Sequence, residues 1–337
     1  MTETTRAWYL RAAGELAATS ARQREWCLGI AGDPRMLALL DAVPRPARQP
    51  SLLFAVAAFL GAPDAAYPVW AQWLLAHGDA LAAELPRRRV QTNEPGRCVP
   101  LLAALARVPG PLALVELGAA AGLCLLPDRY GYRFRTPAGT SRLGSGRPVL
   151  EAELDDALVP RAMPDIRWRR GVDLAPLDVS DADEVRWLEA SLPPDRPERL
   201  VRLREAVATA RADPPELVAG DALDALEGLA ATAPPGATLV VASLGTAVYL
   251  PPGDRARLLA AIRAHGAVAV TFEARRAIPE IAGRWDALVA EGRADPGAAF
   301  LLALDGEPLA SGTPHGARLA AVTSDAARRA SGAGAGS

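Results

Sequence analysis

The chain contains no lysine. All 37 of its basic residues are arginine. No side-chain amine is available for a Schiff base, so pyridoxal phosphate chemistry and aldolase-type imines are excluded. A Walker-type phosphate loop would also lack its lysine. A GC-rich coding sequence, favouring Arg, Ala, Gly and Pro, accounts for this bias. Cysteine is scarce. Cys27, Cys98 and Cys124 are odd in number, far apart and without a C-x-x-C pair, which argues against a disulfide scaffold or a structural zinc site. His77, His265 and His315 are equally scattered and lack metal-ligand spacing. No metal is expected. Asparagine occurs once, at Asn93.

An excess of one charge is missing too. The net charge is -2 and the pI is near 6.0, so the broad basic face that nucleic acid demands is not expected. The N-terminus has no continuous apolar segment of the secretory kind. The longest strongly apolar stretch, Ser51 to Leu60, is too short to span a bilayer. The expectation is a soluble cytoplasmic protein with neither membrane nor nucleic acid as partner.

What is present suits a globular core. The 337 residues are 50% hydrophobic and 23% charged, enough for one large domain or two modest ones. Up to about Arg107, apolar residues recur at helical spacing in Trp8–Leu16, Met36–Leu40, Leu52–Leu60 and Val69–Leu85. Proline clusters at Pro44–Pro50 and Pro63–Pro68 break these runs. Residues 1–108 therefore read as a helical N-terminal cap. From Pro111 the pattern alternates strand with helix. Candidate strands are Leu112–Leu117, Ile166–Leu174, Leu217–Ala219, Thr238–Ser243, Ala267–Phe272, Phe300–Leu304 and Leu319–Val322, with Asp305-Gly306 as a turn. Such alternation predicts an α/β domain over 109–328, with a parallel sheet covered by helices on both faces. The Ala/Gly/Ser tail, 329–337, reads as disordered.

Five segments bear chemistry. In the first, Val115-Glu116-Leu117-Gly118-Ala119-Ala120-Ala121-Gly122-Leu123, a strand ends in an acid and a glycine turn, with an apolar helix expected through Leu126. Gly118 permits a tight turn and close ligand approach, Gly122 permits close packing, and a helix start offers free N–H groups. The Glu116 carboxylate suits a cationic amino acid moiety better than a pyrophosphate, which favours S-adenosylmethionine over NAD. An ordinary strand–helix turn is the alternative. In the second, Gly220-Asp221-Ala222, Asp221 ends a strand, where α/β sheets place ligands. Its carboxylate can accept from an adenine amine or simply cap a helix. In the third, Gly171-Val172-Asp173-Leu174, Asp173 is a candidate for ribose hydroxyls, given an insertion over Pro127 to Pro164. In the fourth, Gln91 to Cys98, Asn93 and Glu94 can orient a ligand and Arg97 can fork a carboxylate. A helix start with Thr92 as cap explains the same residues. In the fifth, Ser243-Leu244-Gly245-Thr246 leads to Tyr249. Ser243, Thr246 and Tyr249 are catalytic candidates without a general base beside them in sequence, and a plain polar loop is the alternative. Asp128-Arg129-Tyr130 reads as a locally paired helix end. His315 reads as a solvated turn histidine, and Arg87-Arg88-Arg89 as a solvated helix end, with a partner contact as the alternative.

Together these pieces resemble a bacterial family catalogued as domain of unknown function 2332. The resemblance rests on Arg48-Gln49-Pro50, Gln91-Thr92-Asn93-Glu94 with Gly96-Arg97-Cys98, Glu116-Leu117-Gly118 with Ala121-Gly122-Leu123, and Asp128-Arg129-Tyr130. It continues through Gly171-Val172-Asp173-Leu174, Pro176-Leu177-Asp178-Val179, Arg186-Trp187-Leu188, Gly220-Asp221, Tyr249-Leu250-Pro251 and Pro314-His315-Gly316. That family is similar to class I S-adenosylmethionine-dependent methyltransferases in its sheet and glycine turn. The resemblance therefore implies a Rossmann-like class I methyltransferase sheet behind the helical cap. It implies that Glu116, Gly118 and Gly122 hold the methionine end of S-adenosylmethionine, Asp173 the ribose, and Asp221 with Ala222 the adenine, while Arg97 pairs with a carboxylate. Asn93, Glu94, Ser243 and Tyr249 are the catalytic candidates, and the substrate is an unidentified small molecule. The chain departs from the pattern at Ala120, where a further glycine is common. It also departs near Cys124, where relatives carry Asn, and at Ser243-Leu244, where relatives carry His-Ser. The rivals are an enzyme using the same cofactor, or another nucleotide, for other chemistry, and a non-catalytic binding protein. An NAD dehydrogenase fits poorly, because G-x-G-x-x-G is absent at this turn.

Overall fold

A computed structural model of the chain describes residues 4–17 and 19–323. The expected disordered tail, 329–337, lies outside the described residues. In chain order the elements are α1 (Thr5–Glu15), α2 (Ala21–Gly32), α3 (Pro34–Asp41), α4 (Pro50–Phe59), α5 (Tyr67–Ala76), α6 (Gly78–Glu84) and α7 (Cys98–Leu105). Next come β1 (Leu112–Leu117), β2 (Gly131–Thr136), β3 (Gly139–Leu143), β4 (Val149–Leu154), β5 (Ile166–Asp173), α8 (Ala182–Ala190), α9 (Pro197–Ala212) and β6 (Glu216–Ala219). The chain closes with α10 (Leu226–Ala231), β7 (Thr238–Leu244), α11 (Pro252–Ala264), β8 (Val268–Ala274), α12 (Pro279–Ala290), β9 (Phe300–Leu304), β10 (Glu307–Gly312) and β11 (Arg318–Ala321).

These elements form two compact units. One comprises Met1–Thr92 with Asp178–Arg204, the other Asn93–Leu177 with Glu205–Ser337. The division differs from a boundary at 108/109: α7 belongs with the sheet, and α8 belongs with the N-terminal helices.

The helical unit starts its helices by the usual devices. Thr4, Ser20 and Asp33 each accept a backbone N–H of the helix they precede, and proline sits in the first turn of α3, α4 and α5. Its core stacks Trp26 on Trp70, centroids 4.4 Å apart, with Phe54 against both.

The second unit is α/β, with a large mixed sheet flanked by helices. Its eleven described strands run in the order β3-β2-β4-β11-β10-β9-β8-β7-β1-β5-β6. The run β8-β7-β1-β5-β6 is parallel. β9 runs antiparallel to β8, and β10 antiparallel to β9. The sheet is therefore mixed where a parallel one was expected. β1 is buried along its whole length, as an apolar strand between two parallel neighbours should be. On one face Val115, Leu117, Val241 and Ala269 join a core with Leu226 of α10, Leu259 of α11 and Trp285 of α12. α7 packs against β8 and β9.

Three differences from the sequence expectation have physical causes. The supposed insertion Pro127–Pro164 builds β2, β3 and β4, which extend the sheet. Tyr132, Phe134, Leu150, Ala152 and Leu154 are buried there while the charged residues between them are not, a period of two. β10 was not expected, because Pro308 and Gly312 weaken a strand reading. Its pairing with β9 shifts register between Pro308 and Ala310, the kind of irregularity that accommodates proline. Asp305 and Gly306, at φ 50° and 83°, form the two-residue turn that joins the pair. Finally, no α-helix follows the glycine turn. Residues 123–125 and 127–129 form single 3-10 turns, since Pro127 lacks an N–H to continue a helix and the Leu123 N–H is bonded elsewhere.

Candidate functional site

The glycine turn lies at the carboxyl end of β1, with every landmark inside the sheet-bearing unit. Gly118, Ala120 and Gly122 all have positive φ, at 70°, 49° and 71°. A Cβ on Gly118 would lie 2.3 Å from Thr246 Oγ1, and one on Gly122 would lie 2.6 Å from Pro215 Cγ. Both glycines are thus required by conformation and by space. Ala120 occupies the left-handed region without being glycine, at a cost of about 1–3 kcal/mol. Two side chains hold it there. The Ala120 N–H donates to Asp173 Oδ2 at 2.9 Å, and the Leu123 N–H donates to Asn93 Oδ1 at 2.8 Å.

Several residues expected to face a ligand also hold backbone. Asn93 is buried and clamps the turn. Asp173 takes the Ala120 N–H on one oxygen and the Ala175 N–H, at 2.9 Å, on the other. Asp221 Oδ1 accepts from the Leu223 N–H at 2.9 Å within a turn that precedes α10, whose N-cap is Ala225 and not Asp221, and Ala222 is buried. Glu94 is buried and accepts the Gly96 N–H, while its carbonyl accepts from the Cys124 thiol at 3.4 Å. Arg97 donates through Nη1 to the Leu244 carbonyl at 2.6 Å and through Nε to the Pro314 carbonyl at 3.3 Å. Gly96 packs so closely on the backbone at His315 that a Cβ would lie 2.3 Å from its carbonyl oxygen. The Pro314-His315-Gly316 segment therefore braces the Arg97 turn. Asp128 is no exposed helix end. It forks Arg169 at 2.7 and 2.9 Å, and both side chains are nearly buried.

Glu116 behaves differently. Its residue is 3% exposed, and its Oε2 has no hydrogen-bond partner among the described residues. Burial drives its pKa well above the ordinary carboxylate value, with the nearby Cys124 adding to the rise and the Arg97 charge opposing it. An orphaned buried carboxylate oxygen is costly.

A second buried carboxylate was missed in the sequence. Glu273, at the end of β8, is 3% exposed. Its Oε1 accepts from Ser243 Oγ at 2.7 Å, the Thr246 N–H at 2.9 Å and the Ala247 N–H at 3.1 Å. Its Oε2 has no partner among the described residues. Burial raises its pKa, opposed by these bonds and by Arg97. The signal was available: Glu273 ends a strand as Glu116 does. Ser243 thus has its hydroxyl committed to Glu273, whereas Tyr249 is 65% exposed. The loop Ser243–Ala247 is the shared wall. Thr246 packs on Gly118 and bonds the Leu117 carbonyl at 2.9 Å, Gly245 lies under the Arg97 guanidinium, and Glu273 ties the loop from the other side.

The open cavity lined by Leu105, Arg107, Gly110, Met163 and Asp165 lies by residues that precede β1 and β5, at the opposite end of the sheet. None of the candidate side chains lines it. No group of three or more His, Cys, Asp or Glu among the described residues is arranged to hold a metal. No described helix is long and apolar enough to cross a membrane.

Residues 58–321 match the family model described as an uncharacterized protein conserved in bacteria (DUF2332). The chain belongs to this family. No curated protein and no solved structure matches it. The matched span includes every candidate residue of the DUF2332 chain named above, from Asn93 to Glu273.

Proposed function

We propose that this protein is an S-adenosylmethionine-dependent methyltransferase acting on a small molecule in the cytoplasm. The observation that carries the reading is the orphaned, buried Glu116 oxygen beside a turn with three positive φ angles. It stands where a ligand is expected. Chain order runs β1-β5-β6 on one side of β1 and β7-β8 on the other, so the order reverses between β1 and β7. Doubly wound sheets bind ligands beyond the carboxyl ends of their strands at such a point, and β6-β5-β1-β7-β8 follows their 3-2-1-4-5 order.

The residues fit the cofactor. A buried carboxylate that lacks a donor suits a cationic ammonium group. Asp173 and Asp221 retain acceptor capacity beyond their backbone bonds, since a carboxylate offers about four lone-pair sites; they would take ribose hydroxyls and the adenine amine. Arg97 has five donors, more than the two bonds to Leu244 and Pro314 consume, and would pair with the cofactor's carboxylate. When bound, the cofactor supplies an activated methyl group. The chain's own task is then mainly to bind and orient, which can supply much of the rate. A second reading, binding without transfer, is favoured by the committed Ser243 hydroxyl.

Calorimetric titration with S-adenosylmethionine and S-adenosylhomocysteine, alongside NAD and ATP, tests the proposal. Binding of the first pair, weakened at least tenfold by Glu116→Ala and by Asp221→Ala, is the expected result. Failure of a folded protein to bind either sulfur compound rejects it. Binding without any methylated product from a broad metabolite mixture favours the second reading.

A further inference from the structure

Glu273 is built differently from an ordinary buried carboxylate. All three of its hydrogen bonds fall on one oxygen, Oε1, at 2.7, 2.9 and 3.1 Å from Ser243, Thr246 and Ala247. Two of these donors are backbone N–H groups, which cannot turn away. Three donors on one oxygen fix the plane of the carboxylate and oppose the effect of burial on its charge. The other oxygen, Oε2, is buried and without a partner among the described residues. Proteins seldom leave such an atom unmatched, because desolvating it costs about 1–3 kcal/mol.

The position of this carboxylate links it to the glycine turn. Thr246 donates its N–H to Glu273 and packs its side chain on Gly118. One residue therefore joins Glu273 to the turn that carries Glu116. Arg97 covers the same loop at Gly245, but its guanidinium donates to the Leu244 and Pro314 carbonyls.

We infer that Glu273 is the recognition residue for an amine-bearing small molecule, whose N–H donates to Oε2. The inference rests on the reading of this strand end as the ligand crevice and names the class of substrate for it. An ammonium group suits Oε2 in two respects. It supplies the missing donor, and it neutralises a charge that burial penalises. An alcohol supplies only the first. Ser243 serves as a positioning residue, holding Oε1 so that Oε2 is presented in one direction.

Glu273→Gln is the informative variant. An amide keeps an oxygen for the three existing donors and places an NH2 donor where the acceptor Oε2 stands. The probes are ethanolamine, benzylamine and putrescine, with ethylene glycol, benzyl alcohol and butanediol as controls. The readout is the Tm of the full chain, measured with and without S-adenosylhomocysteine. At least one amine is expected to raise Tm where its alcohol does not, and titration of that amine should show affinity reduced at least tenfold by Glu273→Gln and less by Ser243→Ala. S-adenosylhomocysteine should bind wild type and Glu273→Gln alike. If no amine acts on protein that binds S-adenosylhomocysteine, or if Glu273→Gln keeps the amine effect, the inference is overturned while the cofactor reading stands. If amines act through Glu273 but S-adenosylhomocysteine does not bind, the inference holds and the cofactor reading fails.

Discussion

Glu116 occupies a place where an ionised carboxylate is least at home. Its folded pKa is raised by burial, so the stability linked to its protonation is fully present below its ordinary value of about 4.3 and is lost as pH rises through the raised one. Glu116→Gln removes that loss. The variant should be more stable than wild type at pH 8 by about 1–3 kcal/mol, with the difference shrinking toward pH 4, as urea unfolding at the two pH values will show. Asn93 works the other way. Asn93→Ala leaves the Leu123 N–H unpaired in the core and should destabilise by about 1–3 kcal/mol, measurable by the same titration. At this scale the sequence marked Glu116, Asn93 and Arg97 as worth attention. It did not show that Asp173 holds the Ala120 N–H or that Asn93 holds the Leu123 N–H, because those bonds are made across the fold. Glu273 was legible by the same rule that found Glu116, but its one-oxygen anchoring was not, since Ser243 on β7 and the loop after it meet Glu273 only in the fold.

Between strand and loop, the glycine turn is held from three sides, by Asn93, Asp173 and Thr246. Gly118→Ala places a methyl group against the Thr246 side chain at a positive φ, and should cost about 2–4 kcal/mol. Thr246→Ala should recover part of that loss, giving a coupling of about 0.5–3 kcal/mol in a double-mutant cycle. The Asp128–Arg169 fork pins the segment after the turn to β5. Asp128→Ala strands a buried guanidinium and should destabilise by about 3–5 kcal/mol, where a surface pair would cost less than about 1 kcal/mol. Chemical denaturation separates the two. Apolar runs made β1, β7 and β8 readable. The alternation Tyr132-Arg133-Phe134-Arg135 was equally readable as a strand, but the long spacing from Glu116 to Asp173 made the segment read as an insertion. The missing helix after Gly122 was not readable, because the apolar run Leu123–Leu126 fits a helix and a buried 3-10 turn equally well.

In the whole molecule, the α/β unit gathers four distant stretches of chain, near residues 93–98, 116–123, 243–247 and 273, around the strand ends where its order reverses. The alternating strands foretold an α/β unit. The mixed sheet was not foretold, because β9 returns antiparallel to β8 after α12 and pairs with the unexpected β10. The central claim is that this convergence is a ligand site organised around the Glu116 carboxylate, and that its cost to the fold is the price of binding. The most direct test measures binding and stability together, by titrating S-adenosylhomocysteine into wild type and Glu116→Gln at pH 8 and unfolding both in urea. The prediction is that the variant is more stable and binds at least tenfold more weakly. A variant that is less stable, or that binds as tightly as wild type, would contradict it.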